Sequence, residues 1–208
     1  MTVDDTRQRW LALYVLCLGS LMIVLDATIV NVALPSIRDD LGFSETSLAW
    51  VVNAYLLTYG GLLLLGGRLG DLFGHRRLFI YGITLFTVSS LACGLSGAQG
   101  VLVAARAVQG IGGAVASAVS LSLIMTLFTQ PAERAKAMGF FGFVASGGGT
   151  LGVLLGGVLT DSLSWHWIFL VNVPIGVVVC ALCLRLVPAG RGAGVGGKVD
   201  VPGALTSA

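Results

Sequence analysis

The sequence predicts an all-α integral membrane protein, a bundle of six transmembrane helices, and three observations carry that expectation. The 208 residues are 56% hydrophobic and only 11% charged, which is more apolar surface than a soluble domain of this size has interior to hide. The apolar residues gather into six runs, at 10–34, 48–66, 78–97, 100–127, 137–160 and 168–187. A helix of roughly 20 residues crosses about 30 Å of hydrocarbon, and each run is of that order. Lys and Arg lie almost entirely on one side of the membrane that these runs define.

The first run follows Arg7 and Arg9. Its apolar stretch outlasts that of a secretory signal and no A-x-A site follows, so it reads as a retained helix. It contains VLDATIVNVALP, Val24 to Pro35, with Asp26 where a carboxylate is costly. At about 100° per residue, Asp26 lies far round the helix from Thr28 and Asn31, so this helix is polar on two faces.

The second run leads into GRLGDLFGHRRL, Gly67 to Leu78. Gly70 and Gly74 permit a tight turn there, while Arg76 and Arg77 hold the loop at the membrane surface. Anchoring does not account for Asp71, which can accept hydrogen bonds at a helix end. The third run returns across the membrane to the fourth, where Arg106, Gly110, Gly113, Ser117 and Ser120 fall within about 80° of one another and Gln109 borders the stripe. A guanidinium keeps its proton and must find an acceptor, water or the interface. Either Arg106 snorkels to the nearby interface, or the stripe lines a water-filled cavity.

The fifth run is close to a glycine ladder. Gly148, Gly152 and Gly156 are spaced by four, with Gly139, Gly142, Gly147, Gly149 and Gly157 around them, so neighbouring backbones are expected to pack closely on more than one side. The G-x-G-x-x-G within it follows no strand and is no nucleotide site. The sixth run carries Cys180 and Cys183. These thiols, like Cys17 and Cys93, sit in apolar segments, read as small hydrophobes, and lack the second ligand pair a metal would need.

With the N-terminus in the cytoplasm, ten of the twelve Lys and Arg face inward: Arg7, Arg9, Arg68, Arg76, Arg77, Arg134, Lys136, Arg185, Arg191 and Lys198. Arg38 alone is outside and Arg106 is within a span, which makes a multi-pass cell-membrane protein with both ends of the bundle cytoplasmic. The domain plan is a cytoplasmic N-terminus at 1–9, the bundle at 10–187, and at 188–208 a Gly-rich cytoplasmic linker that turns apolar like the start of a seventh helix. The net charge of +2 gives no reason to expect nucleic acid. No cluster pairs a nucleophile with a base, so an enzyme is not expected.

GRLGDLFGHRR resembles the signature loop between helices two and three of the major facilitator superfamily. LVAARAVQGIGGA, Leu102 to Ala114, resembles that superfamily's fourth-helix motif. LDATIVNVALP and WHWIFLVNVPIG, Trp165 to Gly176, resemble hallmarks of the fourteen-helix drug:proton antiporters of the EmrB/QacA type. The sequence departs from their pattern at Val153, where the helix-five motif has proline, and at His166, where a basic residue is usual. The resemblance implies the first half of a fold of two six-helix bundles, each an inverted pair of three-helix repeats working by alternating access.

It further implies proton-coupled export of small organic molecules such as drugs or antibiotics, cationic or aromatic among them. Burial disfavours the charged form of a carboxyl, so Asp26 is expected to take up and release a proton, with Arg106 its partner and a cationic drug its competitor. A purely structural pairing of Asp26 is the alternative. Thr28, Asn31, Gln109, Gly110, Gly113 and Ser117 are then expected to line the cavity. Gly67, Gly70, Asp71, Gly74, Arg76 and Arg77 form a gating loop, and Gly148, Gly152 and Gly156 pack helices. No cofactor is implied, and a C-terminal half is expected as partner. A second reading remains open, in which the 208 residues alone are a transport-inactive fragment or a membrane-embedded interaction protein.

Overall fold

A computed structural model describes residues 3–187; the expected linker and seventh-helix start at 188–208, with Arg191 and Lys198, lie outside them. The described residues form α1 (Val3–Leu41), α2 (Glu45–Phe73), α3 (His75–Gly94), α4 (Gln99–Leu127), α5 (Pro131–Ser162), α6 (Trp167–Leu170) and α7 (Asn172–Leu186). The last two are one span broken at Val171, so six spans are long and apolar enough to cross a membrane.

α1, α2 and α5 overrun their apolar runs at both ends, because hydropathy marks where hydrocarbon ends and backbone hydrogen bonding continues beyond it, whereas α3 stops at Gly94, short of the expected 97. α1 passes through Pro35 to Leu41. The segment 67–78, expected as a loop, is instead nearly all helix: α2 continues to Phe73 and α3 starts at His75. Gly74 alone reverses the chain, at φ +90°, a conformation that costs other residues a Cβ clash.

α4 packs against both α2 and α3, and α1 against both α5 and α7, while α1 and α4 touch each other. The first helix of each three-helix set thus lies between the second and third helices of the other set, as an inverted pair of repeats requires. Lipid tails are as apolar as leucine, so contact distance rather than water exclusion holds such helices together. On α5, Gly148 lies against Leu21 and Val24, Gly152 against Thr28 and the Leu25 carbonyl, and Gly156 against Ile29. This is one face only. A Cβ at Gly139, Gly142, Gly147 or Gly157 would meet nothing within 4 Å, so the expected packing on several sides of α5 does not occur within this bundle. Gly82 and Gly112 bring the backbones of α3 and α4 together in the same way, and Gly176 lets α7 meet Thr87.

Candidate functional site

Five spans converge on one buried polar cluster. From α1, Asp26 is 0% exposed. Its Oδ2 accepts from Arg106 Nη1 at 2.5 Å, and its Oδ1 accepts from Gln109 Nε2 at 2.8 Å and from Asn172 Nδ2 at 2.9 Å. Arg106, also 0% exposed, donates from Nε to the Val51 carbonyl of α2 at 3.0 Å and from Nη1 to Gln109 Oε1 at 2.7 Å. Its guanidinium carbon lies 4.2 Å from the centre of the Tyr55 ring and 5.6 Å from that of Phe169, a stacking that suits a weakly hydrated, planar cation. Ser90 of α3 accepts from Gln109 Nε2 at 3.1 Å and Asn172 Nδ2 at 2.9 Å, and donates to the Phe169 carbonyl at 2.9 Å.

Such a pair is stable in a dry interior only because further hydrogen bonds accompany the Coulomb attraction. The arrangement rules out the snorkelling alternative for Arg106, which points into the bundle. It also corrects the expected cavity. Gln109 is wholly buried in the cluster. Gly110 packs against Tyr55 and Thr58, and Gly113 against Tyr55, Tyr59 and Phe86, because a bare α-carbon there lets α2 and α3 close onto α4. Thr28 bonds back to the Val24 carbonyl at 3.0 Å and faces Gly152. Asn31 is exposed and bonds to its own helix at Ala27.

A cavity does exist elsewhere. It occupies about 490 Å³ between α1, α2, α4 and α5, toward the N-terminal side of the bundle, and its walls include Ser20, Tyr59, Leu63, Gly67, Ser117 and Phe141. Of the residues expected along a cavity, Ser117 alone lines this one, where Tyr59 and Ser117 are joined by a 3.0 Å hydrogen bond. Among the described residues no charged side chain lines it, so in this conformation a cationic guest would not touch the carboxylate.

The residues of the expected gating loop separate. Gly67 faces the cavity. Gly70 is packed under the His75 ring and Val119. Asp71 is exposed, with Oδ1 3.3 Å from His75 Nε2, a contact without hydrogen-bond geometry. His75 is partly buried, its ring packed over Gly70. Arg76 Nη2 donates to the Leu184 carbonyl at the end of α7, and Arg77 is exposed.

Similarity to known proteins fits this architecture. Residues 16–207 match the family model of the Major Facilitator Superfamily. The chain belongs to that superfamily. Within it, this major facilitator bundle is 48% identical over 198 residues to the puromycin resistance protein pur8 of Streptomyces alboniger, which is 95% of this chain and 39% of that protein. It is 45% identical over 203 residues to the cephamycin export protein CmcT of Amycolatopsis lactamdurans, 97% of this chain and 42% of that one. The chain therefore spans about two fifths of the length of these relatives. Among solved structures, the proton:xylose symporter XylE superposes with a TM-score of 0.78 at 20% identity, over 89% of this chain and 46% of that one, a likeness of fold.

Proposed function

We propose that this chain is the first six-helix bundle of a proton-driven exporter of drug-like or antibiotic-like small molecules in the cell membrane, with its N-terminus in the cytoplasm. The observation that carries the reading is the Asp26–Arg106 pair, fully buried where five spans meet. An ionisable residue inside a membrane-spanning segment marks a functional site by default, and protonating Asp26 releases part of the cation's hold. The resistance and export roles in the names of pur8 and CmcT support the substrate class. Charge bias supports the orientation.

The α2 and α5 surfaces support the presence of a second bundle. They expose Leu57, Leu64, Leu151, Leu154 and Val158 beside the unfilled glycines of α5. Asp71, exposed at the end of α2, then latches one bundle to the other.

Reconstitution of the complete transporter in vesicles tests the proposal. Asp26→Asn should abolish export driven by a pH gradient while the protein still folds and inserts, and Arg106→Lys should impair export, since lysine lacks the planar fork. Asp71→Asn should slow transport and leave drug binding intact. Undiminished pH-driven export in both Asp26→Asn and Arg106→Lys would reduce the pair to a structural element.

A further inference from the structure

The cluster contains two residues that a simple ion pair does not need. Asn172 opens α7 directly after the break at Val171 that interrupts the sixth span. Ser90 Oγ sits between the two amides and ends the network on the Phe169 carbonyl in α6. We propose that Asn172 and Ser90 are positioning residues for Asp26 that read its protonation and pass it to the α6–α7 break. The inference rests on the reading of Asp26 as the proton site.

The reasoning follows from donors and acceptors. Ionised Asp26 is an acceptor only, and all its observed partners donate to it: Arg106, Gln109 and Asn172. A proton that reaches Oδ1 turns that atom into a donor facing two N–H groups, so one partner must turn over. Arg106 is held by the Val51 carbonyl and Gln109 Oε1. Gln109 is held through Oε1 by Arg106, with Cys93 Sγ 3.7 Å away. Asn172 has only Asp26 and Ser90 as side-chain partners in the cluster, and its own oxygen takes no part there.

Rotation of the Asn172 amide by half a turn puts its oxygen against the new Asp26 hydroxyl. Ser90 then faces that oxygen, so its hydroxyl swings from the Phe169 carbonyl to Asn172. The proton stays on Asp26, no covalent bond other than its O–H forms, and the Phe169 carbonyl is released in the turn before the break. The titratable or charged groups facing Asp26 are Arg106 of α4, Tyr55 of α2 and Cys93 of α3. α6 and α7 face the cluster with Phe169 and Asn172, and α5 carries its titratable residues only near its two ends.

The test uses the complete transporter in vesicles, with its reactive cysteines removed and one placed at Trp167, an exposed position on α6 (47%). Acidification should change the rate of maleimide labelling there about tenfold, the scale of one relocated hydrogen bond. Asp26→Asn should hold the rate at its acid value at every pH. Asn172→Leu and Ser90→Ala should remove the pH response, whereas Ser90→Thr, which keeps the hydroxyl, should retain it. Ser90→Ala deletes a single oxygen, so folding does not decide the result. A normal response in Asn172→Leu and Ser90→Ala, but none in Asp26→Asn, would overturn the relay and leave the proton site standing. A response that persists in Asp26→Asn would overturn both.

Discussion

At the residue scale, Asp26 and Arg106 depend on each other because neither meets water. Removing one partner of a buried pair leaves a lone charge and costs about 3–5 kcal/mol, whereas replacing both with apolar groups is often neutral. Arg106→Leu should therefore lower the thermal stability of the detergent-purified transporter by that order, and adding Asp26→Leu should restore most of it without restoring transport. If the double variant is as unstable as the single one, the loss lies in packing around Tyr55 and Phe169 instead. The pair itself was legible in the sequence, as the opposite charges placed within the spans. Its neighbours were not equally so. Ser89 and Ser90 are adjacent in one apolar helix, yet Ser89 bonds back to the Leu85 carbonyl at 2.7 Å while Ser90 joins the cluster. Nothing local distinguishes them, since only the docking of α4 and α7 decides which hydroxyl is used.

At the scale of elements, small residues fix which helices touch. A Cβ at Gly152 would collide with Thr28 of α1, and one at Gly157 would meet nothing within 4 Å. Gly152→Ala should accordingly destabilise this bundle by about 1–3 kcal/mol through forced separation of α1 and α5, a larger loss than that of Gly157→Ala, whose Cβ meets nothing inside it. Equal effects at the two positions would contradict the one-sided packing of α5. The spacing by four of Gly148, Gly152 and Gly156 announced a close helix contact but not its partner. The glycines of α4 misled for a related reason: a small-residue stripe serves a cavity or a tight interface equally well, and here the partners α2 and α3 close it. Helix ends were the least legible feature, because a helix such as α1 does not stop where its apolar residues do.

For the whole molecule, orientation is the property to measure first. In intact cells, an impermeant thiol reagent should reach a cysteine placed at Ser44 or Ala98 and miss one placed at Arg77 or Gln130, all exposed positions; labelling at Arg77 from outside would reverse the proposed orientation. Ser96, although it lies in a connection, is 2% exposed and would report falsely. The six spans and their helical class could be read from hydropathy alone, whereas the interleaving of the two repeats could not, since it depends on contacts between helices far apart in the chain. That interleaving bears on how the protein is made. Asp26 and Arg106 are 80 residues apart, and at about 5–20 residues per second of synthesis the ribosome needs roughly 4–16 s to deliver the second after the first. Throughout that interval the first span has its acid and not yet its counter-ion. An Asp near a helix centre costs about 2.5–3.5 kcal/mol on insertion scales, and each Leu, Ile, Val or Phe returns about 0.3–0.6. Roughly four to twelve such residues are thus committed to holding the acid in place until the cation arrives. The first span, with Leu, Ile and Val on both sides of Asp26, is built to wait.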